Sequence, residues 1–293
     1  RSYLVNAKNS AWNMASPCVY YNNKIFEDNG ITTPALYLAE GRWTLDNFYK
    51  CARELAQVCS ETGAGIETSA YFSTYASGMA KYDSATETFT SNLSDPSVTK
   101  VWQDMIKARE NGSVKVNDEG GRHLFVSGKM GMIFTGAYGL RKYGWMNDMD
   151  INDLSFVTPP RAEAGGDEVY GGSTFRSYGI CKGAQNPDGA VYFLRYFLNA
   201  DNYDEAELYK NEDAAELYKK LSENQNYNNP VFDYGIMSLM STTNLPLYEI
   251  FPDLAECSSA QVTTALNAGA NKLNSCITRA NMIISDVKEQ NKK

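Results

Sequence analysis

Val19-Tyr20-Tyr21-Asn22-Asn23-Lys24-Ile25-Phe26-Glu27-Asp28-Asn29-Gly30-Ile31, followed by Gly41-Arg42-Trp43-Thr44-Leu45-Asp46-Asn47-Phe48, is the most informative passage of this chain. Val19 to Asn22 reads as a strand. Its alternation sends at most one of Tyr20 and Tyr21 toward a cleft, with core packing for the other, so neither is assigned to a site. At Thr44 the period changes. Leu45, Phe48, Tyr49, Ala52, Leu55, Ala56 and Cys59 recur at three- and four-residue steps, which predicts a helix over 44–60 with Thr44 at its N-cap.

The same signals continue along the chain. Asp95-Pro96 opens a second helix, the acid as cap and the proline in the first turn. This helix turns Val98, Val101, Trp102 and Met105 inward and stops at Asn111-Gly112. Asn186-Pro187 repeats the opening before Ala190, Val191, Phe193, Leu194, Phe197 and Leu198, and the stretch from Val262 to Ile284 keeps a helical period to the end. Short strands are expected at Met130 to Phe134, Leu154 to Val157 and Ser177 to Cys181, each bounded by Gly or Pro. Helices alternating with short apolar strands imply α/β layering. The near-duplicates Ala206-Glu-Leu-Tyr-Lys and Ala215-Glu-Leu-Tyr-Lys read as solvated helix with alternating charge rather than a repeat. Pro159 to Ser173, with two prolines and two Gly-Gly pairs, reads as a connection between substructures.

Of the 293 residues, 27 are basic and 35 acidic, so the net charge is −8, and no basic stripe exists to neutralise phosphates. A nucleic-acid partner is disfavoured. No apolar run reaches the ~18 residues of a membrane span, and Arg1 to Ser10 lacks a signal-peptide pattern. The cysteines at 18, 51, 59, 181, 257 and 276 form no CxxC or Cys/His spacing, which argues against zinc and for free thiols. His123 is the sole histidine and stands beside no obvious nucleophile; Gly128-Lys129 and Gly63-Ala-Gly65 lack the rest of a phosphate-binding or dinucleotide fingerprint. No catalytic residue, metal or cofactor is expected.

Three blocks in order resemble those of bacterial extracellular solute-binding proteins of family 1. The opening passage is similar to that family's Tyr-Asn-Lys…Phe…Gly and Trp-Thr-x-Asp-x-Phe pattern. Phe125-Val-Ser-Gly128-Lys129-Met130-Gly131-Met132-Ile133-Phe134-Thr135-Gly136-Ala137-Tyr138 resembles its Phe-x-x-Gly-Lys-x-Ala-Met…Gly-x-Trp strand and turn. Val157 to Ala190 resembles its Pro…Gly-Gly…Ile-x-x-x-Ala-x-Asn-Pro-x-x-Ala passage.

The resemblance implies an α/β, periplasmic-binding-protein type II-like fold of two lobes, with a solute held in the cleft and delivered to ABC importer permease subunits. It implies a location outside the cytoplasmic membrane, at the cell surface or in the periplasm, free or lipid-anchored. A sugar or oligosaccharide suits the aromatic content, because apolar sugar faces pack on rings while hydroxyls need directed hydrogen bonds. By motif match Tyr138 stands where the family carries a stacking Trp. Trp12 and Tyr71 fall in stretches that line the cleft in the family, and Gly172 and Ser173 begin its return strand; all four are expected at the ligand site.

The family has about 100 residues before the Tyr-Tyr-Asn block, judged by lobe size, and this chain has eighteen. The expectation is a chain lacking the first part of the N-terminal lobe, with 1–158 and 228–293 as the C-terminal lobe and 159–227 as the returning N-lobe segment. The strand at Ser177 to Cys181 would then lack its usual neighbours, which leaves two expectations: that the chain is a fragment, or that this segment pairs with another copy. Two competing readings remain open: a glycoside-acting enzyme using two carboxylates ~5–9 Å apart, and the same fold binding a polyamine, peptide or metal chelate.

Overall fold

The computed structural model describes residues 4–5, 17–59, 65–68, 79–83, 85–116, 121–142, 145–146, 148–161, 178–181, 183–198, 208–224, 247–254 and 256–291. The strands are β1 (Leu4–Val5), β2 (Pro17–Asn22), β3 (Ile66–Thr68), β4 (Ala80–Asp83), β5 (Thr88–Ser91), β6 (Val114–Val116), β7 (Met132–Gly136), β8 (Leu154–Val157) and β9 (Tyr178–Gly179). The α-helices are α1 (Asn23–Asp28), α2 (Pro34–Ala39), α3 (Leu45–Val58), α4 (Pro96–Glu110), α5 (Gly121–Val126), α6 (Pro187–Leu198), α7 (Glu212–Glu223), α8 (Leu247–Ile250) and α9 (Val262–Asn291).

β2 organises the molecule. It runs antiparallel to β7 on one side, Pro17 opposite Gly136 and Tyr21 opposite Met132, and antiparallel to β8 on the other, Val19 opposite Val157. β3 and β6 extend the sheet as parallel partners of β7, giving the order β6-β3-β7-β2-β8. Alternation then separates two cores. Val19, Tyr21, Met132, Phe134 and Val157 pack with Phe48 and Leu55 of α3, Trp102 of α4 and Leu273 of α9. Cys18, Tyr20, Ile133 and Leu154 pack on the opposite face with Phe125 of α5 and Leu217 and Leu221 of α7. Helices cover both faces, as a sheet with apolar residues on each side requires. Both tyrosines of the opening block are core residues, and the Tyr20 hydroxyl donates to the Gly136 carbonyl at 3.0 Å.

The predicted helix starts are built as read. Thr44 Oγ1 accepts from the Asn47 N–H at 3.3 Å, and Asp95 Oδ1 accepts from the Ser97 N–H at 3.0 Å. α4 closes at Asn111-Gly112, where Gly112 takes a positive φ of 77° that only glycine adopts without strain. Asn22 caps α1, accepting from the Ile25 N–H at 3.1 Å, so the Tyr-Asn-Lys motif is a strand-to-helix junction. Trp43 is also structural. Its indole N–H donates to the Thr158 carbonyl at 2.8 Å, and backbone bonds from Arg161 to Trp43 and from Leu45 to Arg161 tie the exit of β8 to the start of α3.

Three expectations change. β9 is not unpaired: it lies antiparallel to β1, Leu4 opposite Gly179 and Val5 opposite Tyr178, so the reason for expecting that strand to pair with another copy falls away. The pair lies outside the five-stranded sheet. α7 is solvated on one side only, since Ala214, Leu217, Tyr218 and Leu221 are buried. The strand expected from Met130 begins at Met132 and runs on to Gly136, because Pro17 and Cys18 pair with its far end. The six cysteines are free, five of them buried. Burial pushes the Cys18 and Cys51 thiols up to about 12.

Candidate ligand-binding site

The parallel trio β6, β3 and β7 points its C-terminal ends to one edge of the sheet, with Thr68 level with Val116 and Phe134. The antiparallel register brings the start of β2 to that edge, Pro17 beside Gly136, together with the end of β8. In open α/β sheets the carboxyl ends of parallel strands are where loops can enclose a ligand. Trp12, Tyr71, Gly172 and Ser173 lie outside the described residues. Among the described strands, β2 begins at this edge five positions after Trp12 and β3 ends at it three positions before Tyr71.

Tyr138 is described, in a 3₁₀ turn (Ala137–Leu140) directly after β7, and is half-buried. Its hydroxyl lies 2.8 Å from Thr135 Oγ1. It also receives a hydrogen bond from Arg122 of α5. A guanidinium only donates, so the phenol oxygen is the acceptor of that bond and its own proton is available to Thr135. The Arg122 guanidinium carbon sits 5.4 Å from the centre of the Tyr138 ring and 5.5 Å from that of Trp145. Trp145 meets Tyr20 and Phe125 of the second core, each at 6.2 Å between ring centres. An exposed cation thus rests on an aromatic platform rooted in the core. The buried Trp145 indole N–H has no acceptor among the described residues.

Sequence reasoning reached Tyr138 and missed Arg122, Thr135 and Trp145. Arg122 stood in view, beside His123 in Gly120-Gly121-Arg122-His123, but no spacing connects positions 122, 138 and 145. Packing of α5 against β7 brings them together. His123 is exposed on α5. The group sets an aromatic ring beside hydrogen-bond donors held in place, an arrangement able to hold a polar molecule.

A two-faced α/β layer whose sheet edge gathers an aromatic and polar cluster is the architecture of a type II periplasmic binding protein. The chain matches the bacterial extracellular solute-binding protein family over residues 3–204 and belongs to it. No curated protein matches it. Solved structures share the fold. The GacH receptor of Streptomyces glaucescens, solved unliganded and with acarbose, is 15% identical with a TM-score of 0.61, over 92% of this chain and 71% of that one. UgpB from Mycobacterium tuberculosis, solved with glycerophosphocholine, is 16% identical with a TM-score of 0.62, over 92% and 69%. A solute-binding protein from Agrobacterium vitis S4 with bound D-mannitol is 14% identical with a TM-score of 0.61, over 91% and 72%. Among the described residues no helix is long and apolar enough to cross a membrane.

Proposed function

We propose that this chain is the extracytoplasmic receptor of an ABC importer, capturing a sugar or related polyol at the C-terminal edge of the five-stranded sheet and passing it unchanged to the permease. The observation that carries this reading is Tyr138, a half-buried ring at that edge whose hydroxyl is oriented by Thr135 and Arg122. A ring held in this way offers its face to the C–H side of a sugar while neighbouring donors meet hydroxyls. Family membership and relatives solved with acarbose and D-mannitol support the ligand class.

In this reading 1–158 and 228–293 form the C-terminal lobe and 159–227 the returning N-lobe segment. The packing of α7 on the second core draws residues 208–224 toward the former. Trp12, Tyr71, Gly172 and Ser173 complete the lining, and closure of the lobes buries the solute.

Titration of the chain with a panel of mono- and oligosaccharides and polyols, read by intrinsic Tyr and Trp fluorescence, tests the reading. At least one of them is expected to bind, and Tyr138→Ala to weaken it by about tenfold or more. Silence across the whole panel and across the acidic counterparts of its members overturns it, as does chromatographic detection of a new product after incubation with a glycoside.

A further inference from the structure

Arg122 stands out among the described basic residues of this acidic chain because its guanidinium lies against two aromatic rings. Lys24, Arg42, Lys50, Lys81, Lys100, Lys107, Lys220 and Lys288 each lie within 4.0 Å of a carboxylate oxygen. Arg122 pairs with no carboxylate among the described residues. Its guanidinium is exposed, makes one hydrogen bond, to the Tyr138 hydroxyl, and is flanked by the Tyr138 and Trp145 rings. Four of its five N–H donors are thus left without an acceptor among the described residues. The rings also supply what a flexible cation lacks, a fixed position, so little side-chain entropy remains to be lost when a ligand arrives.

The energetics of closure select the ligand. Burying a guanidinium with no counter-charge is costly, and a neutral hydroxyl compensates it poorly. A planar oxyanion returns the lost solvation, because carboxylate and phosphate oxygens match the guanidinium fork in two parallel charge-assisted bonds.

We propose that the solute captured at this edge carries an anionic group, a carboxylate or a phosphate, on a polyhydroxylated frame, and that Arg122 is the residue that reads it while Tyr138 packs against the frame. This rests on the receptor function proposed above and narrows it from sugars and polyols at large to their acidic forms.

The test compares matched pairs by calorimetry on the full chain: D-galacturonate against D-galactose, a digalacturonide against its neutral disaccharide, and glycerol 3-phosphate against glycerol. The expected result is that the acidic member of at least one pair binds about tenfold or more tightly than the neutral one, and that added salt erodes this preference. The uronate and phosphate arms separate the two sources of negative charge. Arg122→Met, which keeps the apolar stem, should bring the acid-to-neutral ratio close to one, and Arg122→Lys, which keeps charge without the fork, should leave an intermediate ratio. Neutral members binding as well as or better than their acids would overturn the anionic assignment and leave the receptor reading standing. A preference for the acid that survives in Arg122→Met would overturn the role of Arg122. Binding of none of the six, neutral or acidic, would overturn the anionic assignment; only silence across the wider neutral panel as well would remove the receptor reading.

Discussion

α4 and α6 open in the same way and end in opposite surroundings. Asp95-Pro96 and Asn186-Pro187 each place a capping side chain before a proline, and in both the cap accepts a backbone N–H, from Ser97 at 3.0 Å and from Gly189 at 2.9 Å. Both helices carry a run of apolar residues. In α4 these are core: Val98, Val101, Trp102, Met105 and Ile106 are all buried. In α6 Tyr192 is 77% exposed, Tyr196 60% and Phe193 59%, and its rings meet each other and β9, as in the stacked pair Phe193 and Phe197 at 5.5 Å. Local sequence makes a helix; a facing surface makes it part of a core.

The largest effect that should separate the two is truncation of an aromatic. Trp102→Ala is expected to cost about 3–5 kcal/mol in denaturant unfolding, while Phe193→Ala should stay within about 0.5 kcal/mol. Equal costs would mean that α6 is packed in solution.

Next comes crowding where helix meets sheet. Gly65 lies against α3 so closely that a Cβ would overlap the Ala52 carbonyl oxygen and the Leu55 Cβ. Gly65→Ala should therefore lose about 1–3 kcal/mol, measured as a lower midpoint at unchanged slope.

Smaller still is the cap. Asp95→Ala should cost about 1 kcal/mol of global stability, and Asn186→Ala less, because among the described residues α6 contributes to neither core. The Asp95 carboxyl is held below its usual pKa, chiefly by the Ser97 hydroxyl and then by the Ser97 N–H. A carboxyl with a depressed folded pKa stabilises above its unfolded pKa, and this contribution fades as pH falls through the folded one. The difference between wild type and Asp95→Ala should therefore shrink in acid, seen as converging unfolding midpoints below about pH 4.

The finest probe is chemical. Cys181, near β9, is exposed, whereas Cys18 and Cys51 are buried with thiols pushed up to about 12. Native alkylation near neutral pH should label Cys181 first and leave Cys18 and Cys51 untouched until the chain is unfolded, as read by mass spectrometry. Early labelling of Cys18 would break the contrast.

Much of this architecture was legible beforehand, and for a definite reason. The helix from Thr44 buries Leu45, Phe48, Tyr49, Ala52, Leu55 and Cys59 as its period required, and β8 spans Leu154–Val157 as expected. These elements are specified by neighbours along the chain. Elements set by distant partners were harder. β7 is displaced by two residues because β2, more than a hundred positions earlier, pairs with it to Gly136. The exposure of α6 was invisible, since its apolar content is that of a buried helix. At the site, family likeness singled out Tyr138, yet Arg122 and Trp145 carried no signal, being sixteen positions before it and seven after, on separate elements.

The motifs that placed this chain in its family turn out to be joints: Asn22 caps a helix, Trp43 ties β8 to α3, and Asn186 caps α6. Caps, turns and amphipathic periods are short-range devices, so the order of residues suffices to write them. Whether a given apolar face is covered, and which cation comes to rest against Tyr138, depends on contacts between residues far apart in the chain. Those contacts exist only once the sheet has assembled and its two faces have been filled.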